Sequence, residues 1–351
     1  MSHRLARPLT RRPAPRAGAR ASAALAATAA LAFLTLTACG GGSPAGEAGA
    51  SGGPSSGTSG PADAGLREVT VGVMPIAPSA AFQYGLAEGI FEEHGFDVEI
   101  NSSVSGAATL PAVSTGQIHF DIGNPMSVGI AVDQGLDLKI TNGFSNSLAE
   151  GEDIAGVVVR EDSGIEDWGD LQDRNTAVVS LQGHNTLTIA DSAEQDGADP
   201  TKVGFTEMGF QTMIPQLGQG NVDAIFVPEP FLSQALAEEQ NTLLGYNFQN
   251  SVPGLPTLVT YTSGTLIDED PELVADFQAA MDDVLAQAEA NRPDALMTLV
   301  DFLEIPEPAA QGMKTEEWDG EVRTEQLDRL WELAVDHEYI EAAPEDIYYR
   351  P

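Results

Sequence analysis

Few side chains in this chain of 351 residues could make or break a bond. Cys39 is the sole cysteine, and the five histidines (His3, His94, His119, His184 and His337) are scattered, with no paired spacing that would ligate a metal. No phosphate-cradling G-x-x-x-x-G-K-[ST] or G-x-G-x-x-G stretch occurs. GASGG around Ser51 matches a hydrolase pattern in form only, because no strand precedes it and no helix follows. Carboxylates are abundant, and in a chain with 53 Asp and Glu they read as solvated faces. What remains is hydrogen-bonding and stacking chemistry in short segments after apolar runs: Ser79, Ser105, Asn124, His184, Asn185, Thr186, Phe210 and Glu229. Such groups hold a solute without transforming it. No enzymatic activity, cofactor or metal is expected.

The elements that position these residues alternate. REVTVGVMP predicts a strand, SAAFQYGLAEGIFEEHG a helix, FDVEINSS a strand, SGAATLPAVSTG a helix interrupted by Pro111, and HFDIGN a strand. A second series starts at DIAGVVVRED and continues through TAVVS, VGFTEM and VDAIFV, with helices near 185–196, 212–219 and 229–239. Strand–helix alternation of this kind predicts mainly parallel sheets flanked by helices. Two series predict two α/β lobes: residues 66–150 with 255–351, and residues 151–254. PTLVTYTSG is the return strand into the first lobe. The tail is helical, with Leu273, Val274, Phe277, Met281, Val284, Leu285 and Ala288 at 3/4 spacing.

An open α/β sheet binds ligands beyond the carboxyl ends of its strands, where helix N-termini present free N–H groups. All eight residues fall in such segments. Each also has a scaffold reading: Ser79, Ser105 and Thr186 as helix N-caps, Asn124 as a turn residue before Pro125, His184 as a solvent-facing loop residue, Phe210 as core, and Glu229 as a hinge brace. The cleft set contains no Lys or Arg, so an anion would depend on helix ends and neutral donors.

The surroundings of Cys39 set the compartment. Residues 1–38 hold six arginines, no acid and the uncharged stretch ASAALAATAALAFLTLTA, the form of a secretory signal peptide. Leu36-Thr37-Ala38-Cys39 resembles a bacterial lipobox, which makes Cys39 the expected lipidation site. Residues 40–65 are Gly/Ser/Pro-rich without a large apolar side chain, a flexible linker reaching roughly 28 Å. Without the signal, ten basic residues face 53 acidic ones. That surface repels nucleic acid, which is excluded as a partner.

GLAEGIFEEHGFDVEI, STGQIHFDIGN, LQGHNTLTIADSAEQDGADPTKVGF and LGQGNVDAIFVPEPF together resemble the nitrate/sulfonate/taurine group of substrate-binding proteins from ABC importers. The resemblance implies a two-lobed periplasmic-binding-protein fold of type II with an interlobe cleft and a helical C-terminal tail. It also implies a small-molecule ligand, an ABC permease partner, a monomer, and a lipid anchor at the outer face of the cell membrane. His184 departs from the group, in which Ser or Thr is common at that loop. A sulfonate, taurine or nitrate-like solute is the first expectation; a neutral aromatic or aminopyrimidine ligand is the alternative. A protein-binding lipoprotein and a thiamine-pyrimidine synthase-like enzyme are weaker alternatives, the latter because Lys139, Lys202 and Lys314 are the only lysines.

Overall fold

The computed structural model describes residues 65–102 and 106–350. Cys39, the linker and Ser105 lie outside the described residues. Eleven strands are present among the described residues: β1 Arg67–Val73, β2 Phe96–Ser102, β3 Phe120–Gly123, β4 Leu138–Asn146, β5 Ala155–Arg160, β6 Asn175–Val178, β7 Gly204–Glu207, β8 Ala224–Pro228, β9 Asn241–Gly245, β10 Pro256–Ser263 and β11 Glu317–Trp318. They form a six-stranded sheet, β11-β4-β10-β3-β1-β2, and a five-stranded one, β7-β6-β8-β5-β9.

Parallel pairing follows the strand–helix alternation. β1 pairs in parallel with β2 and β3, and β6 with β7 and β8, each pair being bridged by helical chain. The strands that carry the chain between the sheets behave differently. β10 runs antiparallel to β3 and β4, and β5 antiparallel to β8 and β9, so both sheets are mixed. The helix expected over 79–95 is split at Gly89, whose φ of 73° no longer fits a right-handed helix, into Ala80–Ala87 and Ile90–Glu93.

Helix Pro271–Ala290 starts where Asp270 accepts the Leu273 N–H at 3.0 Å, and it buries the stripe named from its spacing. Phe277 stacks on Phe120 with centroids 3.9 Å apart and meets Phe96 edge-on at 5.4 Å, seating the helix on the first sheet. Helix Thr324–Asp336 buries Leu327, Leu330, Trp331, Leu333 and Ala334, packing against helices Pro125–Asp133 and His184–Gln195. Gly129 permits this approach, since a Cβ there would lie 2.5 Å from the Trp331 ring. The apolar cluster consequently runs without interruption from Met126 and Ile140 to Val157 and Leu187, under both sheets.

Phe277→Ala removes the ring that three other phenylalanines pack on. It should cost about 3–5 kcal/mol, read as a lower urea midpoint with an unchanged slope.

Candidate functional site

The carboxyl ends of β3 and β6 each lead into a helix. Asn124 is extended, and Pro125 pre-sets the first helical turn of Pro125–Asp133. Asn124 Oδ1 accepts the Ser127 N–H at 3.2 Å. On the second sheet, helix His184–Gln195 begins after Gly183, which has no side chain to cap it. Thr186 supplies part of the missing cap: its Oγ1 accepts the Gly183 N–H at 3.3 Å and donates to the Gly183 carbonyl at 2.9 Å.

These two helix starts meet. Asn124 Nδ2 lies 3.1 Å from His184 Nε2. Because Asn124 Oδ1 is committed to Ser127, its Nδ2 is the donor, and His184 Nε2 must accept as a neutral imidazole. Burial works in the same direction, holding the His184 pKa down at about 3. The ring also stacks on Phe248 at 4.5 Å, and its Nδ1 is buried with no partner among the described residues. Thr188 Oγ1 donates to the His184 carbonyl at 2.6 Å and accepts from Asn247 Nδ2 at 2.7 Å, tying the helix to the residues after β9.

Of the remaining expected residues, Ser79, Asn185 and Glu229 are engaged by residues close in sequence. Ser79 Oγ donates to the Met74 carbonyl at 2.7 Å, inside the turn that follows β1. Asn185 Nδ2 donates to the Ser180 carbonyl at 3.3 Å. Glu229, after β8, is buried; its carboxylate accepts from Ser233 Oγ at 2.7 Å and from the Ser233 N–H at 3.1 Å, capping the following helix. Phe210 is half-buried and stacks on Phe231 at 5.5 Å.

One cation from the tail approaches Glu229. Lys314 pairs with Glu152 at 2.7 Å and lies close enough to Glu229 and Tyr246 for their charges to interact. Its position depends on a loop that packs only in three dimensions, and no local motif marks it. Phe248 and Tyr246 were likewise missed, because the surrounding segment carries no clear period. A cavity of about 500 Å³ between Asp137, Lys139, Asp268 and Asp346 lies at the opposite end of β4 and holds none of these residues. Among the described residues, no three His, Cys, Asp or Glu side chains group as metal ligands, and no helix is long and apolar enough to cross a membrane.

The profile of the NMT1/THI5-like family matches residues 78–295, more than half of the chain. The chain belongs to the NMT1/THI5-like family. Its fold is that of solved periplasmic binding proteins. The periplasmic aliphatic sulphonate binding protein SsuA from Escherichia coli superposes with a TM-score of 0.66 at 15% identity, covering 81% of this chain and 92% of that one. The ligand-binding component of an ABC-type import system from Staphylococcus aureus, with zinc bound, gives 0.68 at 14%, covering 82% and 97%. The periplasmic nitrate-binding protein NrtA from Synechocystis gives 0.64 at 13%, covering 80% and 84%. No curated protein matches the chain.

His184 provides a pH test. A base whose folded pKa lies below its unfolded value binds fewer protons when folded, so its contribution is intact above about 6.5 and is lost as pH falls towards 3. Between pH 7 and 4.5 the native protein should lose on the order of 2–3 kcal/mol more stability than His184→Gln, measured by urea unfolding at each pH.

Proposed function

We propose that this family member is the extracytoplasmic solute-binding component of an ABC importer. The meeting of two helix N-termini from two sheets, at Asn124 and His184, carries the reading. It brings the carboxyl ends of β3 and β6 to one place, where an α/β fold receives its ligand. The lobes are residues 66–150 with 255–351, and residues 151–254, with the ligand between them. Ser79, Ser105, Asn124, His184, Asn185, Thr186, Phe210 and Glu229 line or support the cleft. A ligand touching both lobes favours the closed arrangement in proportion to its extra affinity for it. The closed monomer then docks on a permease, whose separate ATPase drives uptake. The chain performs no chemistry of its own.

The solved relatives named for a sulphonate and for nitrate support a small organic solute or anion, such as taurine or an alkanesulfonate. A second reading is favoured by a specific feature. The side chains of Ser79, Asn185, Thr186 and Glu229 all find partners inside their own loops, whereas the Phe210–Phe231 pair stays partly exposed. Neutral, ring-bearing solutes, aminopyrimidines included, use such a surface best. Export is directed by residues 1–38, and a lipid on Cys39 keeps the domain at the outer face of the membrane on its linker.

Two experiments test this reading. Thermal unfolding with taurine, alkanesulfonates, nitrate, an aminopyrimidine and aromatic carboxylates should show one selective shift. Ligand at about a thousand times its Kd adds roughly 4 kcal/mol, several degrees in a protein of this size. His184→Ala should abolish most of that shift, and a flat panel would count against solute binding. Cys39→Ser should release the protein into the medium; undiminished membrane retention would overturn the anchor.

A further inference from the structure

The tail segment 312–318, which ends in β11, lies against residues 147–154, the passage from β4 to β5. Two contacts define the crossing. On the outside Lys314 pairs with Glu152 at 2.7 Å. On the inside two carboxyl groups are buried, Glu316 at 2% exposure and Asp153 at 0%, near enough for the Asp153 charge to act on Glu316.

The two acids are served differently. Asp153 accepts from Ser147 Oγ at 2.5 Å, the Ile154 N–H at 2.9 Å and the Leu148 N–H at 3.3 Å. Among the described residues, the Glu316 carboxyl meets the hydroxyls of Thr257 and Ser145. Thr257 Oγ1 lies 2.5 Å from Glu316 Oε2, 3.1 Å from the Ser145 carbonyl and 2.9 Å from Ser145 Oγ. A hydroxyl has one proton, and a carbonyl can only accept. Thr257 therefore serves the Ser145 carbonyl fully only when the short contact with Glu316 is bridged by a proton from Glu316.

Among the described residues, no cation pairs with the Glu316 carboxyl. Arg292 binds the Glu316 carbonyl and the Glu289 carboxylate, not the Glu316 carboxyl, and Lys314 is taken by Glu152. Tyr246 and Glu229 face Lys314 rather than Glu316. Burial first, and the Asp153 charge second, push the Glu316 pKa up to about 8, while burial raises that of Asp153 as well.

We propose that Glu316 is a neutral acid whose proton fastens the tail strap over the crossover between the two sheets, and that its loss in alkaline medium frees the strap. The device needs no ligand. Its effect on solute retention, a looser cleft at high pH, rests on the solute-binding reading above. The raised folded pKa sets the sign: the contribution is complete below the unfolded value near 4.5 and disappears as pH rises through about 8.

The test uses the full chain without ligand, so failure of the solute-binding reading would not affect it. Infrared difference spectra of the native protein against Glu316→Gln should show a protonated-carboxyl band at pH 7 that vanishes by pH 9. Amide exchange in 147–154 and 312–318, corrected for its intrinsic pH dependence, should accelerate about tenfold over that interval. Glu316→Gln should keep the slow rate at both pH values. Asp153→Asn, with the opposing charge gone, should move the transition to lower pH. No protonated-carboxyl band at pH 7 would overturn the proposal. So would exchange that is independent of pH in the native chain or unchanged in its midpoint by Asp153→Asn.

Discussion

The single hydrogen bond between Asn124 and His184 makes a stringent demand on the fold. It joins the first turns of two helices that leave different sheets, and its donor and acceptor roles are set by a third contact, Asn124 to Ser127. A bond of this kind holds its geometry only if both helices are fixed from below. The helix Thr324–Asp336 provides that support. Trp331 lies on Gly129, and its neighbours reach helix His184–Gln195, so one apolar core continues beneath both sheets. The hydrophobic effect is non-directional. Here the closeness of ring and glycine converts it into a positional constraint.

The two sheets are therefore joined in two ways that differ in chemistry. Beneath the Asn124–His184 bond the joint is apolar. At the crossover it is polar, built from Ser145, Ser147, Asp153, Thr257 and Glu316, with an exposed Lys314–Glu152 pair outside. Buried carboxyls are costly unless neutralised or well hydrogen-bonded, and Asp153 accepts three hydrogen bonds. Such a joint is directional, which the apolar contacts are not.

Several readings from sequence were legible because they depend on local periodicity. The stripe of Pro271–Ala290, the strand β10 and the helix starts at Asn124 and near His184 all follow from spacing, proline placement and turn chemistry. Strands β9 and β11 were not legible. One is a short polar-led run and the other two residues long, and each exists because a neighbouring strand presents unpaired backbone groups. Glu229 illustrates a different gap. A carboxylate at a strand end reads equally as ligand contact or scaffold, and only the position of Ser233 one turn later shows where its oxygens go.

The sequence by itself determined the α/β alternation, the acid-rich composition, and the loops in which polar residues follow strands. Those properties reside in residue type and short-range spacing. Tertiary structure alone decided that Asn124 meets His184, that Lys314 lies near Glu229, and that Glu316 is buried opposite Asp153. Their separations run from dozens of positions to more than one hundred and sixty along the chain. Contacts at such distance are set by how whole layers pack, and no local pattern encodes which polar group will be left facing which.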